Sequence, residues 1–237
     1  MISLIDHFKF SDHQPQILAI SNDISVMTWN ILKRCTYHEK PHKFYNNGFG
    51  IIESEYDYHI RLKKIANEIC SIIAQNKTIK YIALQELPID SDLIIFHNSL
   101  AELLPHFTFI TNATQGFLFD HNYAIAQDNT DIFIKIIGKT IDKIQSIKAI
   151  TNNNEINFIN VHLCWFKSYH SRLSMIKTII KKLSSNKVII LGDFNLNILD
   201  IEIEGIEKYS KEDTTLSYVK DGVQSLQTCD GFMIYDR

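Results

Sequence analysis

The chain has 237 residues and a mass of 27.5 kDa; 45% of its residues are hydrophobic, its formal net charge is −3 and its pI is near 6.4. That is ample apolar material for a sizeable core, without the global basic excess expected of a protein that grips long nucleic acid by its backbone. No apolar run is long enough to span a bilayer, and the first residues, with Asp6, Lys9 and Asp12, lack the apolar stretch of a signal peptide, so a soluble, cytoplasmic protein is expected.

Short apolar, β-branched runs predict strands over 16–20, 24–31, 81–85, 107–111, 117–119, 123–126, 131–137, 144–150, 156–162, 187–191 and 229–235. Ser21-Asn22-Asp23 is a tight polar turn that would join the first two as a hairpin. Between the strands, Leu62, Ile65, Ala66, Ile69, Ile72 and Ile73 form one stripe of a helix over 57–74. A second helix is expected over 95–104, stopped by Pro105, and a third over 168–183, with Leu173, Ile176, Ile179, Ile180 and Leu183 on one face. Segment 34–56 has no clear period, and a loop that long in a compact domain is usually functional or mobile. Gly and Pro are few (8 and 4), and no repeat or low-complexity linker divides the chain, so residues 1–237 read as a single domain. Cys35, Cys70, Cys164 and Cys229 lack paired ligand spacing, which favours reduced thiols over a zinc site or a disulfide framework.

Four apolar strands each push a polar residue out at the carboxyl end, which is where α/β sheets place ligand sites. Asn30 ends Val26-Met27-Thr28-Trp29, and Glu86 ends Ile82-Ala83-Leu84-Gln85. His162 ends Phe158-Ile159-Asn160-Val161, and Gly192-Asp193-Phe194-Asn195 follows Val188-Ile189-Ile190-Leu191. Each alone can be a turn residue; the ordered set is harder to dismiss.

In this set the sequence resembles the endonuclease/exonuclease/phosphatase superfamily of metal-dependent phosphoesterases. The matching stretches are Thr28-Trp29-Asn30, Leu84-Gln85-Glu86, Asn160-Val161-His162-Leu163, Gly192-Asp193-Phe194-Asn195, Thr228-Cys229-Asp230-Gly231-Phe232 and Ser11-Asp12-His13-Gln14-Pro15. The resemblance implies an α/β fold, a four-layer sandwich of two mixed β-sheets flanked by helices. It implies Mg2+ (or Mn2+) held by Glu86 and Asn30, with Asp12 contacting the metal or active-site water. Asp193 would accept a proton from the attacking water, Asn195 would orient the water or phosphate, and His162 would hold a phosphoryl oxygen. His13 would face the scissile phosphate, with Asp230 fixing its tautomer.

The order of the motifs departs from the family. The Ser-Asp-His stretch normally follows the Asp230 strand, whereas here it precedes the opening Thr28-Trp29-Asn30 motif and the chain ends seven residues after Asp230. A circular permutation, with the usual C-terminal catalytic strand moved to the N-terminus, accounts for both, and places Met1 near Arg237.

For substrate, the resemblance and the acidic charge favour RNA or single-stranded DNA ends or a nucleotide over long duplex DNA. Within the same fold, a phosphatase of inositol phosphates or phosphoinositide headgroups is the alternative. A catalytically inactive binding module is the alternative of another class. Trp165 can stack a base, although a Trp flanking a strand end more often belongs to a core. Arg172, with His170, begins a helix near His162 and is a candidate for a substrate phosphate, or a solvated helix start.

Overall fold

The computed structural model describes residues 10–11, 13–32, 54–138, 140–151, 154–182, 187–211, 215–218, 224–227 and 229–236. Most of segment 34–56, and the expected proximity of Met1 and Arg237, lie outside the described residues.

Two mixed sheets carry the fold. In the first, the order is β1 (Gln16–Ser21), β2 (Ile24–Asn30), β3 (Ile79–Gln85), β5 (Gln115–Asp120), β4 (Phe107–Asn112). The pair β2/β3 is parallel, joined across α1 (Glu55–Gln75), and the other pairs are antiparallel. In the second sheet the order is β10 (Ile206–Tyr209), β13 (Asp230–Asp236), β9 (Lys187–Asp193), β8 (Glu155–His162), β7 (Lys143–Ile150), β6 (Ile125–Asp128). Here β8/β9 is the parallel pair, joined across α4 (Tyr169–Lys182). A separate hairpin pairs β11 (Thr215–Tyr218) with β12 (Gln224–Gln227).

Three apolar cores make this a four-layer α/β sandwich. Central strands are buried on both faces, so their residues sort by parity. Met27, Trp29, Ile82 and Leu84 face Leu62, Ile65 and Ile69 of α1 and Phe96 and Leu100 of α2 (Asp90–Leu103). Val26, Tyr81, Ala83 and Phe117 turn the other way, against Phe158, Ile189, Leu191 and Phe232 of the second sheet. Val188 and Ile190 face outward, onto Phe133 of α3 (Thr130–Ile137) and Ile176 and Ile179 of α4. Burial of such side chains contributes ~1.5–3 kcal/mol each before chain entropy is subtracted.

A polar cluster sits inside the middle core. Gln85 Nε2 donates to Asn160 Oδ1 at 2.7 Å and to Thr28 Oγ1 at 3.0 Å. Asn160 Nδ2 donates to Leu84 O at 3.0 Å, Gly116 O at 3.2 Å and Gln145 Oε1 at 3.3 Å. The bonds of Asn160 to Gln85, Leu84 and Gly116 cross from one sheet to the other, so they fix how the two sheets register beneath the strand ends. Gly192 fixes the join of β8 and β9: its φ is +134°, and a Cβ there would stand 2.1 Å from Val161 O. Only glycine lets the backbones close there, one residue before Asp193.

The strand predicted over 131–137 is helical. The run Asp131-Ile132-Phe133-Ile134-Lys135-Ile136-Ile137 is β-branched and favours strand by propensity. Packing overrides it: Phe133, Ile134 and Ile137 fall on one helical face against the outer core, and Gly138, at φ +92°, ends the helix. Helix α2 begins at Asp90, ahead of the predicted start at 95, and β10, β11 and β12 were not expected from the sequence. No helix among the described residues is long and apolar enough to cross a membrane.

Candidate active site

Three adjacent strands of the second sheet set the centre of the site. Asp193 is in register with His162 on one side and with Asp230 on the other. From the first sheet, the ends of β2 and β3 bring Asn30 beside Gln85, and the chain then turns at Glu86. Three residues at these turns, Leu32, Glu86 and Asn195, hold left-handed φ of 55°, 56° and 50° without being glycine. Such strain gathers where the surrounding structure must hold a side chain in one direction.

Asp193 is 1% exposed and is the hub. Its Oδ1 accepts from the Asn195 backbone N–H at 2.8 Å, and its Oδ2 accepts from Asn195 Nδ2 at 3.1 Å and Asn30 Nδ2 at 3.1 Å. Asn30 Nδ2 also lies 3.3 Å from Glu86 Oε1. His162 Nε2 is 3.6 Å from Glu86 Oε1 and 3.7 Å from Asp193 Oδ2. Asn195 Nδ2 further donates to Leu163 O at 2.8 Å, and the Leu163 N–H donates to Asp193 O at 2.9 Å.

His13 enters from the other end of the chain. Its Nδ1 is 2.8 Å from Asp230 Oδ2, across 217 positions of sequence, and its Nε2 is 3.8 Å from Asp193 Oδ2. A carboxylate at Nδ1 holds the proton there in the neutral ring, and so turns Nε2 toward the site. The segment is fixed by Ser11 Oγ, which donates to Asn30 O at 2.6 Å and accepts from the His13 N–H at 3.2 Å. Trp29 Nε1 donates to His13 O at 2.9 Å.

Arg61 was not singled out by sequence reasoning as a site residue. Its Nη1 donates to Phe10 O at 3.0 Å, Ile31 O at 3.0 Å and Leu32 O at 2.9 Å. One guanidinium thereby ties the segment before His13 to the segment after Asn30. It is a positioning residue, and nothing in the local sequence marks it, because its partners are backbone carbonyls far along the chain.

The donor set suits a hard divalent cation. Two carboxylates, Glu86 and Asp193, converge on the Asn30 amide, and oxygen donors of this kind are what Mg2+ and Mn2+ bind. Asn30 Oδ1 accepts from the Leu32 N–H at 3.1 Å, so serving as an oxygen ligand beside Glu86 requires the amide to turn over. The oxygen and nitrogen ligand atoms of His13, Asp193 and Asp230 also lie within 4.8 Å of one another. The His13–Asp230 contact has the length of a hydrogen bond, which favours an oriented imidazole over a chelate there. Asp12 lies outside the described residues.

Trp165 and Arg172 lie beyond His162, on the loop after β8 and in the first turn of α4. Trp165 is 69% exposed and belongs to no core. Arg172 Nη1 donates to Trp165 O and Lys167 O, each at 2.7 Å, so the guanidinium braces the loop after β8. Asp142, buried at the foot of β7, holds the same loop by accepting from the Cys164 N–H at 2.8 Å and Lys167 Nζ at 2.6 Å. Burial alone would raise the Asp142 carboxyl, but Lys167, the Cys164 N–H and Thr140 outweigh it and hold the carboxyl below the usual carboxylate range.

No family model matches the sequence, and no curated protein matches it. Solved structures do match in three dimensions. TDP2 from D. rerio, crystallised with a single-strand DNA product, aligns over 91% of this chain and 85% of its own, at 15% identity and a TM-score of 0.59. Truncated TDP2 from Caenorhabditis elegans aligns over 90% and 84%, at 14% identity and a TM-score of 0.53. A functionally unknown conserved protein from Enterococcus faecalis V583 aligns over 89% and 86%, at 14% identity and a TM-score of 0.53. Identities this low speak for the fold. The chain shares the α/β sandwich of these structures, the architecture that the resemblance to the endonuclease/exonuclease/phosphatase superfamily implies.

Proposed function

We propose that the chain is a Mg2+-dependent phosphodiesterase that hydrolyses RNA or single-stranded DNA at or near its ends, by in-line attack of water. The observation that carries the reading is the convergence of Glu86, Asn30, His162, Asp193, Asn195, Asp230 and His13 at one place on the sandwich. The cation, when bound at Glu86 and Asn30, supplies charge neutralisation at the phosphate. The protein residues do the rest. Asp193 takes the proton of the attacking water, and Asn195, bonded to the same carboxylate, orients that water or a phosphate oxygen. His162 holds a second phosphoryl oxygen. His13 presents Nε2 to the scissile phosphate and stabilises the charge that grows there, with Asp230 fixing its tautomer and its charged form.

Circular permutation is part of this proposal. The strand after His13, β1, lies antiparallel beside β2, and the His13 imidazole meets Asp230 on β13. This supports reading residues 10–21 as the family's closing element, placed before the opening strand in chain order. The nucleic-acid class draws support from the D. rerio neighbour and its bound single-strand product.

A panel of substrates tests the reading. Short single-stranded RNA and DNA, abasic duplex DNA and inositol phosphates are incubated with the protein, with Mg2+ or with EDTA. Cleavage of the single strands that stops in EDTA is the expected result. Release of phosphate from inositol phosphates alone would replace it with the phosphatase reading, and metal-independent or absent turnover on every substrate would overturn it.

A further inference from the structure

The loop after His162 carries a feature that the catalytic reading does not use. Trp165 and Phe166 are adjacent, 69% and 68% exposed, and packed edge to face with ring centroids 5.7 Å apart. Two adjacent aromatic side chains in water offer an apolar face that a ligand can cover. Their backbone is held from three directions. Asp142 fixes the Cys164 N–H and Lys167 Nζ, Arg172 fixes the Trp165 and Lys167 carbonyls, and Asn195 fixes the Leu163 carbonyl. Such bracing suits a platform that meets a ligand without reorganising.

The placement identifies the ligand. Leu163 is hydrogen-bonded to Asp193 and Asn195, and Trp165 is two residues further on, so at most ~7 Å of chain separates it from the catalytic carboxylate's strand. A segment that short keeps Trp165 close to any phosphate held at this centre. Lys143, exposed and in register with His162, adds a cation on the same side, with His170 exposed at the start of α4. An exposed aromatic face on the loop that leaves a phosphate-cleaving centre, with the Lys143 ammonium in register with His162, fits an unpaired nucleobase with its phosphate. A fixed pair of rings also tolerates any base, since every base has a π-face. An inositol ring has no such face, and a net charge of −3 disfavours docking on an anionic lipid surface.

We infer that Trp165, with Phe166 packed edge-on against it, forms a stacking shelf for the base next to the cleaved phosphodiester, which makes the enzyme selective for unpaired nucleic acid over base-free phosphoesters. This rests on the phosphodiesterase reading above, and its test separates the two. The kcat and KM of wild type, Trp165→Ala and Phe166→Ala are measured on a short single strand and on the same strand with the flanking base removed. Trp165→Ala is expected to raise KM on the intact strand by ~10-fold or more, with a smaller change in kcat. The penalty shrinks at least ~5-fold on the abasic strand, because the stacking partner is already gone. A penalty equal on both strands overturns the shelf while leaving the phosphodiesterase reading in place. Failure of wild type to cleave either strand overturns both.

Fluorescence gives a readout independent of turnover. The protein has two tryptophans, and Trp29 is buried, so titration with a phosphorothioate strand in Mg2+ is expected to quench the exposed Trp165. Trp165→Phe removes that quench. Quenching by vesicles of anionic lipid but not by the strand would contradict the shelf and assign the aromatic pair to a membrane surface.

Discussion

Asp193→Asn is expected to lower kcat by ~10³–10⁴, at the upper end of what loss of one positioned base costs. The reason for the high value is that the carboxylate serves several groups at once. It accepts from Asn195 through both the backbone N–H and Nδ2, and from Asn30 through Nδ2. An amide at this position turns an NH2 toward one of these donors, so the variant would lose the proposed proton acceptor and also disturb the Asn195 and Asn30 amides bonded to it. A donor set against a donor in a buried place costs ~1–3 kcal/mol of stability. Urea unfolding followed by circular dichroism separates that loss from the rate effect in single-turnover kinetics. A variant that folds and retains more than a tenth of wild-type kcat would remove Asp193 from the role of base.

Glu86→Gln is expected to abolish tight divalent binding and, with it, at least ~10³-fold of the rate. Glu86 sits at the end of β3 in a left-handed backbone turn at φ 56°, which aims its carboxylate at the Asn30 amide 3.3 Å away. Glutamine keeps the shape and the amide contact but gives up the negative charge that a hard cation needs. Thermal unfolding reads the effect without substrate. A metal that binds only the folded protein stabilises it by ~2.7 kcal/mol at a hundredfold excess over its dissociation constant. Wild type is therefore expected to gain several degrees in Tm as Mg2+ or Mn2+ rises, and Glu86→Gln is expected to gain none. Equal gains in the two proteins would move the metal away from Glu86.

The part of the fold that was legible in sequence is the part where local pattern and tertiary role agree. Strands such as 24–30 and 187–193 are mostly apolar because both faces are buried, and each ends on polar residues where the sheet ends and the candidate site begins. Asn30, Glu86, His162 and Asp193 could be singled out for that reason. The pairing of His13 with Asp230 could be anticipated only through the motif resemblance, since no local pattern links residues 217 positions apart. What escaped was decided by packing. The β-branched run at 131–137 is helical because Phe133, Ile134 and Ile137 then meet the outer core on one face. Arg61 works through three carbonyls that the sequence does not place near one another. The loop that carries Trp165 is held by Asp142 and Arg172, both brought there by the fold.

His13 carries the central claim, that a residue near the start of the chain completes a site otherwise built between Asn30 and Asp230. The most direct test is the single-turnover rate of wild type and His13→Ala on a short single strand in Mg2+, with circular dichroism to establish that both are folded and His13→Gln as a variant closer in volume. The account expects both substitutions to slow cleavage by ~10²–10³ while leaving metal-dependent stabilisation in place. Cleavage at the wild-type rate in folded His13→Ala would contradict it, and would leave the contact between His13 and Asp230 without a part in catalysis.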